Sequence, residues 1–328
     1  MSKQLFSLLK ILLSVGLAGL LLYFVFKKVD WADFWERAES VDYRWVVASI
    51  ILSIVAYVAR AYRWNILLEP LGYKLKTSRT TLAVLIGYLA NLLLPRLGEI
   101  TRCGVLNRND KVAIPSALGS VVSERIIDVL TLIILILISL IVESDRLFTF
   151  LSQAYQDLSI PNYMVIAIIS VGVLGVLLLA LFIKNQERLK GRFADLLKGF
   201  MAGLLSLRQI KKPYAFIAST IVLWVVYYLM SYIIVFSLPE TAHLGLGAGF
   251  MLLITGGIAL SLPVQSGFGT YHGMIAGMLL LYSVDQTTGI FLATLLHTSQ
   301  IVAIALFGGI ALVISFMIRR SSGRKTTN

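Results

Sequence analysis

Long apolar segments recur along this chain, and the shorter segments between them carry most of its charge. Most apolar segments have roughly 18 to 30 residues, and about 20 helical residues are enough to cross the ~30 Å hydrocarbon core of a bilayer. The pattern predicts an all-α polytopic membrane protein with about six spanning helices. Two further apolar segments, residues 80–94 and 246–262, are followed by prolines and need a separate explanation.

The composition supports a membrane protein and argues against nucleic-acid binding. Of the 328 residues, 58% are hydrophobic, which is more than in a typical soluble domain. The net charge of +12 lies between the apolar segments, where it orients the protein and contacts anionic headgroups. The single cysteine excludes an internal disulfide, and no Cys or His cluster predicts a metal site.

Basic residues between the apolar segments predict the side on which each segment lies. Three segments are strongly basic, with net charges of +4, +6 and +4: residues 60–79, 184–212 and 319–328. The positive-inside rule places these in the cytoplasm. Three others have no such excess and are predicted outside: residues 27–42, 143–160 and 237–245. Both termini are therefore expected in the cytoplasm, and the protein in the cytoplasmic (inner) membrane as a multi-pass protein.

This assignment is consistent only if two segments enter and leave the membrane on the same side. Residues 80–107 would form a re-entrant hairpin that turns at Pro95, and residues 246–283 a second one that turns at Pro263. The 15 residues of 80–94 reach only ~22 Å as a helix, which agrees with this interpretation. In secondary transporters, inverted repeats with such broken helices place the binding site at the breaks.

The chain is therefore predicted to be a single membrane domain over residues 1–328. It divides into an anchor helix, a first inverted half, a connecting helix with a basic cytoplasmic segment, a second half and a basic tail: residues 5–26, 43–142, 162–212, 213–318 and 319–328. Within the outer segment 27–42, an aromatic stripe after Asp30 predicts a short interfacial helix that Asp30 caps.

Two groups of charged residues lie where lipid is expected. Glu124, Arg125 and Asp128 are spaced i,i+4 and i,i+3 on the long helix after Pro115, so they can cluster on one flank. A lone charge at such depth costs about 2.5–3.5 kcal/mol, so the three should face protein or a wet cavity. The second group follows the turn of the first hairpin: Arg96, Glu99 and Arg102.

Two interpretations of these charges remain open and are compatible. In one, they are a structural ion network that clamps the first hairpin onto the long helix. In the other, Arg96, Arg102 and Arg125 bind a lipid phosphate, for which arginine is well suited. Three carboxylates would then hold the arginines in the empty state and take part in proton coupling: Glu99, Glu124 and Asp128.

The hairpin turns are predicted from their proline, glycine and polar residues. The first turn involves Asn91, Pro95 and Gly98, and the second involves Pro263, Gly267, Gly269, Thr270 and Tyr271. Three nearby residues, His272, His297 and Gln300, form a candidate polar site in the second half. For each histidine, a packing role is the competing interpretation.

Three motifs, taken in order, resemble the flippase-like family, which includes the N-terminal transmembrane region of lysylphosphatidylglycerol synthases. They are Pro95-Arg96-x-Gly98-Glu99-x-x-Arg102, Glu124-Arg125-x-x-Asp128, and Pro263 with Gly267-x-Gly269-Thr270-Tyr271. The resemblance covers nearly the whole chain and implies the lipid-translocating half, without the soluble aminoacyl-transfer domain. His272 stands where the family pattern has an acidic residue, which bears on coupling and on the charge of the headgroup.

The function expected from these features is movement of an anionic phospholipid or a polyprenyl-phosphate-linked lipid between leaflets. No catalytic residue, cofactor or ATP-binding motif is predicted. The expected partners are membrane lipids, and a lipid-biosynthetic enzyme or a second copy of the chain stays open. The rival prediction is a lipid-linked glycosyltransferase, or a membrane subunit of a lipid-biosynthetic enzyme, with Asp30, Asp33 or Asp145 as the acid. A structural scaffold for lipid enzymes is the third alternative.

Overall fold

The computed structural model describes residues 16–27, 29–94, 97–146, 148–149, 210–262 and 264–323. Pro95, Arg96 and Pro263 lie outside these ranges, as does the predicted connecting segment up to residue 209. The chain forms two compact units, one of Met1–Ser139 with Ile210–Asn328 and one of Leu140–Gln209. In the second unit, the described residues include an ion pair between Arg146 and Glu143 at 3.2 Å. The fold below is that of the first unit.

The described residues form α-helices, four short 3₁₀ turns and no strand. The helices are α1 (Gly16–Phe26), α2 (Trp31–Ser40), α3 (Tyr43–Leu68), α4 (Thr77–Leu93), α5 (Leu97–Asp110), α6 (Ile114–Val142), α7 (Pro213–Tyr232), α8 (Leu246–Ser261), α9 (Thr270–Leu279) and α10 (Gln286–Gly323). The 3₁₀ turns are Glu69–Leu71, Ile233–Ser237, Gln265–Gly267 and Leu280–Tyr282.

Four stretches in the described residues are long and apolar enough to cross a membrane: Tyr43–Leu71, Ile114–Val142, Pro213–Ser237 and Gln286–Met317. They correspond to four of the about six predicted spans. Helix α1 is the described part of the predicted anchor 5–26, and the remaining predicted span lies in the undescribed segment 162–209. The protein is thus an all-helical polytopic membrane protein.

Helix α3 is longer than predicted, and this corrects the interpretation of the segment 60–79. Asp42 caps its start, and no helix-breaking residue follows until Pro70 and Gly72, which has φ 93°. Arg60 and Arg63 therefore lie inside the helix and are buried, rather than in a cytoplasmic loop. Without them the net charge of the segment falls from +4 to +2, so the segment remains basic.

Helices α4 and α5 pack side by side and are joined by a short break. A Cβ on Gly87 would lie 2.8 Å from the Gly98 carbonyl oxygen, so only glycine permits this approach. The Gly98 amide donates a hydrogen bond of 2.6 Å to Asn91 Oδ1, which satisfies an amide at the start of α5. The two helices match the predicted hairpin 80–107, although they extend from Thr77 to Asp110.

Helices α8 and α9 form the second hairpin, and the break between them has an unusual backbone. Ser266, Gly267 and Gly269 have φ values of 47°, 76° and 80°, a region that glycine adopts most easily. A Cβ on Gly269 would collide with Leu21 of α1. Helix α1 therefore packs against this break, and it does more than anchor the chain.

The two breaks touch each other. Gln265 Nε2 donates a hydrogen bond of 3.1 Å to the Leu92 carbonyl, and Ser266 Oγ donates one of 3.4 Å to the Asn91 carbonyl. In each half, the last long helix also contacts the hairpin of the other half. Gly308 of α10 packs on Leu89 of α4. Gly257 of α8 packs on Leu132 of α6 in the same way.

Two ion pairs join loops at the ends of the helices. At one end, Lys212 pairs with Glu69 at 3.0 Å, which joins two segments predicted to be cytoplasmic. At the other end, Arg37 pairs with Glu240 at 2.6 Å, which joins two segments predicted to be outside. Segments with the same predicted side therefore meet.

The short helix α2 begins where the sequence predicted. Asp30 Oδ1 accepts hydrogen bonds from the amides of Ala32 and Asp33 at 2.9 and 3.4 Å. Phe34 is buried, with its ring 4.7 Å from that of Phe291. Trp35 stays exposed, as expected for a helix that rests at a lipid interface.

The close approach in the first hairpin can be tested by substitution. In Gly98→Ala, the new Cβ would lie 2.6 Å from Asn91 Nδ2, so we expect a loss of about 1–3 kcal/mol from overpacking. In the matched control Gly104→Ala, on the same helix, the Cβ meets nothing within 4 Å. The measurement is the midpoint of thermal unfolding in a single detergent. Equal midpoints for the two variants would contradict the packing described.

Candidate functional site

Seven charged side chains from three helices lie together inside the bundle. Helix α3 contributes two arginines, α5 contributes a glutamate and an arginine, and α6 contributes two acids and an arginine. The members are Arg60, Arg63, Glu99, Arg102, Glu124, Arg125 and Asp128. We call this group the charged cluster. It joins the two groups that the sequence predicted and adds two arginines from α3.

Glu124 lies at the centre of the charged cluster, and its side chain is completely buried. Arg60 Nη1 donates a hydrogen bond to Glu124 Oε1, and Arg102 Nη1 lies 3.2 Å from Glu124 Oε2. Arg63 Nη2 is 3.9 Å away. A buried carboxylate needs partners of opposite charge to remain ionised. Here it has them from both α3 and α5.

Asp128 is the second acid of α6 in the charged cluster, one helical turn beyond Glu124, and its side chain is 14% exposed. Its Oδ1 accepts a hydrogen bond of 2.6 Å from Arg63 Nη2. Its Oδ2 lies 3.2 Å from both Nη1 and Nη2 of Arg60. The predicted clustering of Glu124 with Asp128 on one flank of α6 is present, and α3 covers that flank.

Aromatic side chains contact two arginines of the charged cluster, Arg60 and Arg102. The Arg102 guanidinium lies 4.5 Å from the centre of the Trp64 ring, a cation–π contact. The Trp64 indole N–H donates a hydrogen bond of 2.8 Å to Ser120 Oγ. Arg60 Nε donates one of 3.1 Å to the Tyr227 hydroxyl on α7. The charged cluster thus contacts both halves of the fold.

Arg125 and Glu99 form the exposed edge of the charged cluster. Arg125 Nη2 lies 3.2 Å from Glu99 Oε1, and the two side chains are 44% and 27% exposed. Arg125 Nη1 also lies 3.8 Å from Asp128 Oδ2. The prediction placed Arg125 with Arg102, but Arg102 is buried with Glu124 whereas Arg125 lies at the edge. Arg96 lies outside the described residues.

The charged cluster has more positive charge and more donors than its own acids satisfy. Four arginines against three carboxylates leave a formal net charge of +1 among the described members. Several buried guanidinium nitrogens have no hydrogen-bond partner in the described part of the chain: Arg63 Nε and Nη1, and Arg102 Nε and Nη2. Buried donors without acceptors cost free energy. A bound anion with several oxygens would satisfy them.

The contribution of α3 to the charged cluster is not predicted from the sequence. The charge pattern predicts Arg60 and Arg63 in a cytoplasmic segment, whereas both lie inside helix α3. Two features of the sequence could have corrected this. The arginines are spaced i,i+3, so they share a helix face, and the first breakers, Pro70 and Gly72, come later. Nothing in the sequence indicated that Tyr227 would reach Arg60.

The predicted polar residues of the second half form a separate group beside the break between α8 and α9. The rings of Tyr271 and His297 are stacked at 5.1 Å, and the His272 ring lies 5.1 Å from that of His297. Gln300 lies one helical turn after His297 on α10. We call these four residues the histidine cluster. No set of three or more potential metal ligands occurs in the described residues.

The chain is similar to one protein family and to one curated protein. The family model described as lysylphosphatidylglycerol synthase TM region matches residues 8–308. A curated protein named glycosyltransferase AglD, from Haloferax volcanii, is 24% identical over 306 residues. That alignment covers 83% of this chain and 49% of the relative, so the chain spans about half the length of the curated relative. No solved structure matches the chain.

Two glutamates of the charged cluster provide a matched test of its energetics. Glu124→Gln removes a completely buried partner of Arg60 and Arg102, and breaking such a pair typically costs about 3–5 kcal/mol. Glu99→Gln makes the same chemical change at a partly exposed pair, where we expect about 1 kcal/mol or less. Thermal unfolding in detergent measures both. A smaller loss for Glu124→Gln than for Glu99→Gln would contradict the assignment of Glu124 as the central acid.

Proposed function

This chain belongs to the family of the lysylphosphatidylglycerol synthase transmembrane region, and on that basis we propose that it moves an anionic lipid between membrane leaflets. The resemblance indicated by its three motifs is confirmed by the family match over residues 8–308. The lipid would be an anionic phospholipid or a polyprenyl-phosphate-linked lipid. Both lipids carry a phosphate, which the protein would have to bind inside the membrane.

The observation that carries the proposal is the excess of buried arginine in the charged cluster. A structural ion network alone would be most stable with its donors paired, because unpaired buried donors are costly. Arg63 and Arg102 each keep two guanidinium nitrogens without a partner among the described residues. A phosphate offers several strong acceptor oxygens to such groups. The formal charge of +1 also favours one added negative charge.

The arrangement suggests an order of events for the lipid headgroup. The headgroup first meets the exposed pair of Arg125 and Glu99. Its phosphate then competes with Glu124 for Arg102, whose guanidinium has both a paired and an unpaired side. Glu124 and Asp128 hold the arginines in place while the site is empty. In this proposal, the ion network that holds the first hairpin on α6 is also the binding site for the lipid phosphate.

The placement of the charged cluster supports a transport path. Arg102 lies on the second arm of the first hairpin, and the break of that hairpin contacts the break of the second hairpin through Ser266 and Asn91. We propose that the hairpins are re-entrant and open to opposite sides, as in transporters built from inverted repeats. The proposal includes about six spans, both termini in the cytoplasm, and residence in the cytoplasmic membrane.

The remaining parts of the proposal concern partners and chemistry. Membrane lipids are the partners, and we propose neither nucleic-acid binding nor a cofactor. The chain would act as a transporter and not as an enzyme. Association with a lipid-biosynthetic enzyme, or with a second copy of the chain, would be compatible with this role.

A second candidate function follows from the similarity to the protein named glycosyltransferase AglD. In that case the chain would be the membrane part of a lipid-linked glycosyltransferase, with an outer acid as catalyst. Of the candidate acids, Asp30 caps α2, and Asp33 accepts a hydrogen bond from Arg37 at 3.0 Å. Both therefore have structural roles, which favours the transporter. Sugar transfer from a lipid donor by the purified chain would decide for this candidate.

Purified protein in liposomes tests the transporter directly. Fluorescent phosphatidylglycerol and phosphatidylcholine are placed in separate liposomes, and their exposure to an external quencher is followed over time. We expect faster exposure of the anionic lipid with wild-type protein. Arg125→Ala should lower the rate about tenfold or more, equivalent to about 1.4 kcal/mol, because the first contact for the phosphate is lost.

The matched control is Arg37→Ala. Arg37 is also partly buried and paired with two acids, but it lies on α2, outside the charged cluster. Its rate should stay within about twofold of wild type, a change of less than 1 kcal/mol. No acceleration for any anionic lipid, including a polyprenyl phosphate, would contradict the proposed function.

A further inference from the structure

A chain of hydrogen bonds connects the histidine cluster to the break of the first hairpin. His297 Nε2 donates a hydrogen bond of 2.9 Å to the Ser266 carbonyl. Ser266 Oγ donates one of 3.4 Å to the Asn91 carbonyl, and Asn91 Oδ1 accepts one of 2.6 Å from the Gly98 amide. Glu99 of the charged cluster is the next residue. A titratable ring is therefore connected to the candidate lipid site.

The histidine cluster is buried among uncharged groups. His272 and His297 are each only 4% exposed. Helix α1 contributes Phe26, whose ring lies 5.6 Å from that of His272, and Phe268 from the break packs 5.1 Å from His297. The titratable groups that face the two rings are each other and Tyr271. Among the described residues, no carboxylate or basic side chain acts on either ring.

One nitrogen in this cluster lacks a partner. His272 Nδ1 is buried, and it makes no hydrogen bond within the described part of the chain. A proton could bind there, but an imidazolium in such surroundings is costly without a counter-ion or water. Protonation therefore favours any conformation in which water reaches the two rings. By linkage, a state that binds the proton more tightly gains population as the pH falls.

The backbone between the clusters can transmit such a change. Ser266 is held at φ 47°, which is unusual for a residue other than glycine and marks a strained position. Its carbonyl bonds to His297, and its hydroxyl bonds to the first hairpin. Hydration of the histidine cluster would remove the first of these contacts and leave the second without support. The junction between the two breaks would then loosen.

We infer that His272 and His297 form a proton-binding switch that opens the junction between the two hairpins when one ring is protonated. Because the rings are 5.1 Å apart, their charges repel, so the pair takes up one proton before the other. The effect of the switch on transport rests on the proposed function. Proton binding and opening of the junction can be tested without any transport measurement.

The chain has only three histidines, which makes ring titration directly observable. Protein labelled with ¹⁵N-histidine in neutral-lipid nanodiscs should give three sets of ring signals, assigned with His→Gln variants. The exposed His243 is the internal control for the ring signals. The signals of His272 and His297 should change over the same pH range, because a proton bound by one ring affects the other. If the signals of both rings of the pair stay unchanged down to about pH 4, the inference is wrong.

The single cysteine reports whether the junction opens. Cys103 is completely buried on α5, next to Arg102, so N-ethylmaleimide should label it only when the first hairpin opens. Thiol reactivity itself falls as the pH is lowered. The quantity compared is therefore the ratio of two labelling rates at each pH, that of the wild type divided by that of the double variant His272→Gln and His297→Gln. We expect this ratio to rise about tenfold between pH 8 and about pH 5.

The glutamine variants preserve a side-chain amide that can donate to the Ser266 carbonyl but cannot be protonated in this range. His297→Leu removes the donor as well, so it should label faster at every pH and separate a structural role from a proton-dependent one. His243→Gln should behave as wild type. A ratio that stays constant with pH would overturn the switch, whether or not the protein moves lipid at pH 8. Loss of lipid movement at pH 8 with a rising ratio would count against the proposed function alone.

Discussion

The pairing of Glu124 with arginines from two other helices is the interaction on which the rest of the site depends. Glu124 is completely buried on α6, and it meets Arg60 of α3 and Arg102 of α5. In a membrane, where an unpaired charge is costly, these helices can keep their charged residues inside only if they stay together. The pairing therefore holds the first hairpin against the long helices and also fixes the arginines in place.

The two hairpins also depend on each other, through hydrogen bonds between their breaks. Each break leaves backbone groups without helical partners, and in lipid such groups must be satisfied internally. The Asn91 side chain accepts a hydrogen bond from the Gly98 amide. Gln265 and Ser266 donate hydrogen bonds to carbonyls at the end of α4. The two broken helices are therefore mutually dependent. A change at one break alters the hydrogen bonding of the other, which is a physical basis for coupling the two halves.

Much of the architecture follows from local sequence. The long apolar segments set the helices, and the breaks lie where prolines and glycines interrupt them. The capping of α2 by Asp30 was predictable because it needs only three neighbouring residues. The spacing of Glu124 and Asp128 placed both acids on one flank of α6. Arg60 and Arg63 lie inside α3 because no helix breaker precedes Pro70, so charge alone does not mark the end of a helix.

What the sequence determined by itself was the helical class, the hairpins and the residue types of the two polar groups, because these depend on composition and on short spacings. Only the tertiary structure decided which charges are partners. Arg60 and Glu124 are 64 residues apart, and Tyr227 reaches Arg60 across 167 residues. Spacing along a helix cannot specify such pairs, because they depend on how the helices pack. That packing brings separate charges into one cluster in which several buried guanidinium nitrogens have no partner among the described residues.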